Sequence, residues 1–220
     1  MTTRDAGTAR EEVLARVRQA HAAAAPEPWP YEEIDRAYRA PEAATAASFD
    51  TEALVELLVD RLLDYKAGVR RCGAGEVGAT VAALLAERGA RRVVVPPGLD
   101  QAWRSAGVEW VVDEPALGVT QLDEADAVVT GSAVAVALTG SIVLDASPDQ
   151  GRRAISLVPD HHVCVVAVDD VVHGVGEALT RLNTTRPLTW ISGPSATSDI
   201  ELDRVEGVHG PRLLDVVVVA

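Results

Sequence analysis

Residues 92–98 read Arg-Val-Val-Val-Pro-Pro-Gly, and this short segment decides the class of fold for the chain. Three consecutive valines predict a buried strand, and continuous apolar runs of this kind are typical of parallel sheets. Pro96, Pro97 and Gly98 then end the strand, because proline cannot donate to a sheet ladder. Together with the alternating helices and strands around it, this strand predicts an α/β fold with a mixed, mainly parallel sheet that is flanked by helices.

The segments on either side of this strand alternate between helical and extended patterns. Asp50 is placed to cap a helix that runs to about Tyr65. A second helix is expected over 75–88, where Gly89 supplies the residue that ends it. The other elements predicted in this part are strands over 66–71 and 108–113 and a short helix over 100–105. This alternation extends the α/β prediction across residues 50–113.

The pattern after residue 124 contains more strands. Thr139 and Gly140 separate two apolar runs, 133–138 and 141–145, and this indicates a hairpin or a tight bend. A polar loop follows over 146–153. Further strands are predicted over 127–130, 162–168, 188–191 and 213–219, with a helix from Asp169 or Asp170 to about Leu182.

The first 48 residues differ in composition from the rest. A helix is expected over 10–25, with Leu14, Val17 and His21 on one stripe. Residues 26–48 are rich in proline and alanine, which indicates either a flexible tether or an arm packed by its aromatic side chains onto the body or a second subunit. We therefore divide the chain into an N-terminal helix and arm, 1–48, and an α/β domain, 49–220.

The net charge of −13 over 220 residues narrows the classes of partner. A chain this acidic is repelled by nucleic-acid backbones and by anionic membrane surfaces. Its start is charged, without the apolar core of a signal peptide, and no apolar run approaches the length of a membrane span. Two cysteines, Cys72 and Cys164, are too few for a four-thiolate iron–sulfur cluster. We expect a cytoplasmic protein without a membrane span.

A strand at 190–191 leads into a loop of small residues, 192–197, and then into Ser-Asp-Ile-Glu at 198–201. The last four residues form a capping box, which starts a helix, and a helix amino terminus attracts anions. The ligand-binding candidates in this loop are Ser192, Gly193, Ser195 and Thr197. Asp199 and His209 are the candidate acid and base, although capping alone explains the box and a lone histidine in a turn is more often structural.

Two further turns and one basic loop are candidates for the same anion. Thr130 with Gly131 and Thr139 with Gly140 present backbone amides at turns, although glycine is also an ordinary turn residue. The loop Gln150-Gly151-Arg152-Arg153 offers guanidinium groups, which bind carboxylate or phosphate in a bidentate manner; an ordinary charged loop is the alternative. We expect these loops and 192–197 to converge on a ligand at the ends of the strands.

His161 and His162 do not indicate a metal site. Adjacent residues on a strand face opposite sides of the sheet, so the two rings cannot chelate one ion well. We expect one histidine to cap the strand end and the other to face solvent. Cys72-Gly-Ala-Gly75 resembles a dinucleotide turn only weakly, because the third glycine is missing.

The order and spacing of several motifs are similar to those of the LUD-domain family, in its lactate utilisation protein C branch. The motifs include Thr130-Gly131, Thr139-Gly140-Ser-Ile-Val-Leu, Gln150-Gly151-Arg152, Leu-Val-Pro-Asp160-x-His162, Ile191-Ser-Gly-Pro-Ser195-x-Thr-x-Asp199-Ile-Glu201 and Gly207-Val-His-Gly-Pro211. The resemblance implies a fold of the NagB/RpiA/CoA-transferase type. It also implies a part in oxidising L-lactate to pyruvate beside two partner proteins that carry the iron–sulfur clusters. This chain itself is then expected to bind no cofactor beyond a small anion or nucleotide-like ligand.

One departure from the family bears on the reaction. Relatives commonly carry glutamate where this chain has Leu138, and an alkyl side chain cannot act as a nucleophile. The leading hypothesis is an accessory or ligand-binding subunit that acts with iron–sulfur proteins. The alternative is a stand-alone CoA-transferase-like or isomerase-like enzyme that uses His209 and Asp199 as acid and base, with Arg152 or Arg153 holding a small anionic metabolite. A third possibility is a regulatory module that senses a carboxylate. The chain could also form a homo-oligomer.

Overall fold

The structure is a computed structural model, and it describes residues 6–23, 49–197, 205–206 and 210–220. The chain divides into two units, 1–40 and 41–220. The described part of the first unit is the helix α1 (Ala6–Ala23), on which Val13 and Val17 are exposed. Across the described ranges, no helix combines the length and the apolar character that crossing a membrane requires. The boundary expected at residue 48 stays a prediction.

The second unit alternates helices and strands along most of its length. Its α-helices are α2 (Thr51–Asp64), α3 (Val77–Glu87), α4 (Val119–Asp123) and α5 (Val175–Arg181). Its strands are β1 (Gly68–Cys72), β2 (Arg92–Val95), β3 (Glu109–Val112), β4 (Ala127–Thr130), β5 (Val134–Val136), β6 (Ser141–Leu144), β7 (His161–Ala167), β8 (Val171–Val172), β9 (Thr189–Ile191), β10 (Ala196–Thr197), β11 (Val205–Glu206) and β12 (Leu213–Val219).

Six strands form a wholly parallel sheet in the order β1-β12-β7-β4-β2-β3. Helix α2 covers one face through Val55, Leu58 and Leu62, and helix α3 covers the other through Val81 and Leu85. All five of these side chains are fully buried. The α/β class and the parallel sheet predicted from residues 92–98 are therefore confirmed, because valine strands need apolar cover on both faces.

A second, smaller sheet has the order β8-β5-β6-β9. β5 and β6 are antiparallel and are joined through Thr139 and Gly140, so the predicted hairpin is confirmed. β6 pairs with β9 in the antiparallel sense, and helix α2 packs between this sheet and the parallel sheet, against Ala135, Ile142 and Leu144. β10 and β11 form a separate antiparallel pair.

Local signals at the ends of helices α2 and α3 act as predicted. The Asp50 carboxylate accepts a hydrogen bond from the Ala53 N–H at 2.8 Å and caps α2. Gly89 has a φ of +67°, the left-handed conformation that ends a helix. Lys66 also has a positive φ, 64°, and β1 accordingly begins at Gly68 rather than at residue 66.

The predicted helix from Asp169 or Asp170 was wrong at its start. Residues Val168–Asp170 form a 3₁₀ turn, Val171 and Val172 form β8 beside β5, and α5 begins only at Val175. Pairing with β5 buries both valines and outweighs the helical pattern that continues after them. The sequence interpretation also missed the short helix α4, where Leu122 is buried.

The prediction that one histidine of the pair caps the strand end and the other faces solvent was wrong. His161 is 2% exposed and His162 is 1% exposed. They point to opposite faces of β7, as expected, but helices or loops cover both faces at this point of the sheet. His161 Nε2 lies 2.8 Å from Asp215 Oδ2, so its burial is accompanied by a hydrogen bond.

Candidate functional site

A cavity of about 200 Å³ opens beside the first residues of β7 and β12. His162 and Leu214, each the second residue of its strand, line it from the parallel sheet. Strand β9 and the loop of residues 192–195, Ser-Gly-Pro-Ser, line it from the smaller sheet. We call it the SGPS cavity. Pockets for drug-sized ligands measure roughly 300–1,000 Å³, so this volume favours a smaller metabolite.

Arg153 gives the SGPS cavity a positive charge. Among the described residues that line it, no other side chain is an arginine, lysine or carboxylate. Its Nη1 donates a hydrogen bond to Thr189 Oγ1 at 3.1 Å, and Thr189 is the first residue of β9. In a chain of net charge −13, a guanidinium beside hydroxyl groups is suited to binding an anion.

Arg152, the neighbour of Arg153, is bound elsewhere. Its Nε and Nη2 donate to Asp113 Oδ2 and Oδ1 at 2.7 and 2.9 Å, and Nη2 also donates to the Leu117 carbonyl at 2.6 Å. Burial opposes ionisation of Asp113, but the hydrogen bonds from Arg152 and from the Leu117 N–H outweigh it and lower the pKa of that carboxyl. The predicted ligand residue Arg152 thus forms a structural ion pair, and it does not line the SGPS cavity.

A chain of hydroxyl groups joins the hairpin turn to the Ser-Gly-Pro-Ser loop. Thr139 Oγ1 donates to Ser141 Oγ at 2.9 Å, and Ser141 Oγ lies 2.8 Å from Ser192 Oγ. Two of the loops that the sequence predicted to converge are therefore in direct contact. Ser192 also lines the SGPS cavity, so these bonds hold one of its walls.

Helix α2 presses on both of these loops at glycine positions. A Cβ atom on Gly140 would lie 2.7 Å from Arg61 Cβ, and one on Gly193 would lie 2.5 Å from Tyr65 Cβ. Both glycines have positive φ, 58° and 81°, which other residues adopt only with strain. The end of α2 therefore fixes the position of the Ser-Gly-Pro-Ser loop.

His162 connects the SGPS cavity with the first predicted turn. Its Nε2 lies 2.8 Å from Oγ1 of Thr130, and Thr130 is the last residue of β4. Burial, and to a smaller extent the nearby His161, lower the pKa of His162 to about 3, so the ring is neutral near pH 7. Thr130 Oγ1 is also 3.9 Å from Cys164 Sγ, and burial raises the pKa of that thiol to about 12.

The remaining predicted residues of the Thr130–Gly131 turn and of the basic loop have structural roles. The Gly131 N–H donates to the Asp149 carbonyl at 3.0 Å, and the Asp149 carboxylate leaves no room for a Cβ on Gly131. Gln150 is buried, and its side-chain oxygen accepts from the Asp145 N–H at 2.6 Å. Gly151 has a φ of +69°. None of these residues lines the SGPS cavity.

Several predicted residues fall outside the described part of the chain. These are the capping box at 198–201, with Asp199, and the turn at 207–209, with His209. The backbone of Thr197 lies in β10, which pairs with β11 across the undescribed segment. The Ser195 N–H donates to the Pro211 carbonyl at 2.8 Å, so the loop ends are joined beside the SGPS cavity.

Most residues that line the SGPS cavity are absent from the predicted set, and the polar or aromatic ones among them include Ser156, His162 and Trp190. Residues 163–166 are all apolar, which predicts a strand buried on both faces, and this signal could have indicated that the preceding His162 is buried. No comparable signal distinguishes Ser156 or Trp190.

Comparison with known proteins gives the family. The LUD domain model matches residues 119–219. Lactate utilization protein C of Deinococcus radiodurans is 52% identical over 164 residues, which is 73% of this chain and 76% of that protein. The chain belongs to the LUD-domain family. Lactate utilization protein C of Bacillus subtilis is 33% identical over 124 residues, about half of each chain.

A solved structure supports the same assignment. The crystal structure of a DUF162 family protein from Deinococcus radiodurans has a TM-score of 0.68 and 43% identity, and covers 78% of this chain and 99% of that one. In this LUD domain the family match includes Arg153, His162 and the Ser-Gly-Pro-Ser loop, whereas the supporting helix α2 precedes it. Leu138 is half exposed and presents no acid to the adjacent turn.

Proposed function

We propose that this chain is a component of a lactate-utilisation system, in which it holds a small carboxylate in the SGPS cavity as a ligand-binding subunit. Iron–sulfur proteins are its partners in this proposal, and they carry the electrons from lactate oxidation. The observation that carries the proposal is Arg153, a guanidinium that is not in an ion pair with any described carboxylate and that lines a small cavity rich in hydroxyl groups.

The similar proteins support the lactate-utilisation part. The Deinococcus radiodurans relative is named lactate utilization protein C, and its similarity extends over most of both chains. That match covers 164 residues and is therefore longer than the LUD-domain match to residues 119–219.

The cavity's side chains are suited to binding and orienting a small carboxylate. Arg153 offers two parallel N–H groups to a carboxylate, an arrangement that fixes orientation as well as charge. Ser156 and Ser192 add hydroxyl groups, and Leu214 with the indole of Trp190 offers apolar surface for an alkyl group. A three-carbon acid can use all three kinds of contact in a cavity of this size.

The thiols of this chain do not fit an iron–sulfur cluster, which supports placing the clusters on partners. Cluster ligation needs thiolates, and burial raises the pKa of Cys164 to about 12. Cys72 lies at the end of β1, on a different strand, and is half-buried. An iron–sulfur cluster that accepts electrons from bound lactate would therefore need cysteine ligands from another protein.

Calorimetric titration with L-lactate, pyruvate and propionate tests the carboxylate site. Arg153→Gln is expected to lower the affinity for each ligand by about tenfold or more, which corresponds to the loss of a charge-assisted hydrogen bond. Arg70→Gln is the matched control, because it removes the same charge from β1, where Arg70 forms an exposed ion pair with Glu87 of helix α3. Equal effects of the two substitutions would exclude a specific role for Arg153.

A reconstitution experiment tests the role as a subunit. The purified chain alone is expected to leave L-lactate unoxidised with a soluble electron acceptor. A cysteine-rich iron–sulfur protein encoded by a neighbouring gene is then added. Lactate is expected to reduce the cluster of that protein, and the visible absorption of the cluster measures the reduction. Lactate oxidation by the isolated chain would contradict the proposal and would favour a stand-alone enzyme.

A further inference from the structure

We propose that His162 and Thr130 form a pair that recognises an oxygen on the second carbon of the bound carboxylate, whether that oxygen is a hydroxyl or a carbonyl. The inference rests on the proposed function, because it names the class of ligand at the same site: carboxylates with an oxygen at C2. It adds two uncharged residues of the parallel sheet: His162, which lines the SGPS cavity, and Thr130, which contacts His162.

The geometry gives His162 one bound and one available ring nitrogen. Nε2 lies 2.8 Å from Thr130 Oγ1, and this is the hydrogen bond that the ring makes with a side chain of the described residues. The same histidine lines the SGPS cavity. In the proposal, Nδ1 is the ring nitrogen that binds the ligand, because Thr130 occupies Nε2. The ring is neutral, so Nδ1 either accepts a hydrogen bond or donates one, according to the tautomer.

Thr130 allows both tautomers. In the first, His162 Nε2–H donates to Thr130 Oγ1, the threonine hydroxyl turns toward Cys164 Sγ at 3.9 Å, and Nδ1 accepts from a ligand hydroxyl. In the second, the threonine hydroxyl donates to Nε2, and Nδ1–H donates to a ligand carbonyl. Sulfur is a weak acceptor, so the threonine loses little when it turns from Cys164 to the ring.

This exchange has a consequence for ligands that differ only in oxidation state. A site that reads a hydroxyl with a fixed acceptor rejects the corresponding carbonyl, because two acceptors then face each other. A neutral histidine beside a rotatable hydroxyl avoids that conflict. The pair is thus expected to bind a 2-hydroxy acid and its 2-oxo counterpart with similar affinity, and to bind the unsubstituted acid more weakly.

Titration with three acids of equal length tests the inference. In the natural protein, L-lactate and pyruvate are expected to bind within about threefold of each other, and about tenfold more tightly than propionate, the ratio for one satisfied hydrogen bond. His162→Phe keeps an aromatic ring but removes both nitrogens. It is expected to reduce the roughly tenfold preference for lactate and pyruvate over propionate to about one, which is the ratio without a hydrogen bond to the C2 oxygen.

Thr130→Val and Thr130→Ser supply the matched pair for the second residue. Valine keeps the shape of threonine without its hydroxyl, and Thr130→Val is expected to weaken the binding of lactate and pyruvate severalfold. Thr130→Ser keeps a hydroxyl and is expected to bind both acids as the natural protein does. Nitrogen NMR of the labelled His162 ring in the natural protein provides a measurement that needs no substitution. Nδ1 is expected to be unprotonated with lactate and protonated with pyruvate.

The outcomes separate this inference from the proposed function. Equal binding of all three acids, lost in Arg153→Gln, would overturn the inference and leave the carboxylate site intact. Absence of binding by all three acids would overturn both. The same His162 tautomer with lactate and with pyruvate would overturn the inference even if His162→Phe fails to fold.

Discussion

Arg152 and Asp113 form a bidentate ion pair that removes one of two adjacent arginines from the SGPS cavity. The Nε–Oδ2 and Nη2–Oδ1 distances are 2.7 and 2.9 Å, and the Asp113 side chain is 4% exposed. Arg153, the next residue, is exposed and bonds to Thr189 at the cavity. Two residues of identical chemistry therefore have different roles, one in stability and one in the proposed binding.

The two arginines give a paired prediction. Arg152→Gln is expected to lower the free energy of unfolding by about 1–3 kcal/mol, because Asp113 loses its partner in a nearly buried position. Arg153→Gln is expected to change it by less than about 0.5 kcal/mol, as for other exposed positions. Urea unfolding measures both. Equal destabilisation by the two changes would contradict the division of roles.

His162 predicts a dependence of stability on pH. Its pKa is lowered to about 3 in the native state by burial and by His161, whereas the unfolded chain has an ordinary histidine pKa of about 6.5. Between these values the unfolded state binds one more proton, so the free energy of unfolding falls as the pH falls, by up to about 1.4 kcal/mol per pH unit.

His162→Phe isolates that contribution. The variant is expected to show a shallower loss of stability between about pH 6.5 and pH 4.5, the part of the window above the titration of most carboxyl groups. Urea unfolding at a series of pH values gives both slopes. Superimposable slopes for the variant and the natural protein would show that His162 takes up its proton in the native state.

Gly193→Ala is expected to disturb the Ser-Gly-Pro-Ser loop. The new Cβ would lie 2.5 Å from Tyr65 Cβ, and φ at this residue is +81°, so the free energy of unfolding is expected to fall by about 1–3 kcal/mol. Carboxylate binding is expected to weaken with it.

Gly75→Ala is the control, because nothing lies within 4 Å of its Cβ position. Thermal unfolding and calorimetric titration are the measurements. Normal lactate binding by a destabilised Gly193→Ala protein would show that the loop's position does not determine binding.

Cys164 is expected to be inert in the native protein. It is fully buried, and its thiol pKa is raised to about 12, so almost no thiolate is present near pH 7. A chromogenic disulfide reagent is expected to titrate no more than one thiol, that of Cys72, until urea is added, after which both react. Rapid modification of two thiols without urea would contradict this burial.

Much of the fold could be predicted from local signals. Asp50 and Gly89 mark helix ends because capping and left-handed turns are made by the residue and its immediate neighbours. The valines of β2 indicate a parallel sheet because only burial on both faces accommodates such a run. The start of α5 could not be predicted in this way. Val171 and Val172 form β8 instead of a helix because they pair with β5, a strand more than thirty residues earlier.

The candidate site was predictable in part. Ser192, Gly193 and Ser195 were selected from the sequence, and all three line the SGPS cavity. Asp199 and His209 stay predictions, because they lie outside the described residues. The environment of His162 depends on Thr130, at the end of another strand, and no spacing along the chain encodes that contact.

The sequence by itself determined the α/β class, the hairpin at Thr139 and Gly140, and the small-residue loop that follows β9, because each depends on residues close together in the chain. Only the tertiary structure decided which arginine is available to a ligand and that both adjacent histidines are buried. Those properties depend on Asp113, Thr189, Thr130 and Asp215, which the parallel sheet and its loops bring into contact from distant parts of the chain.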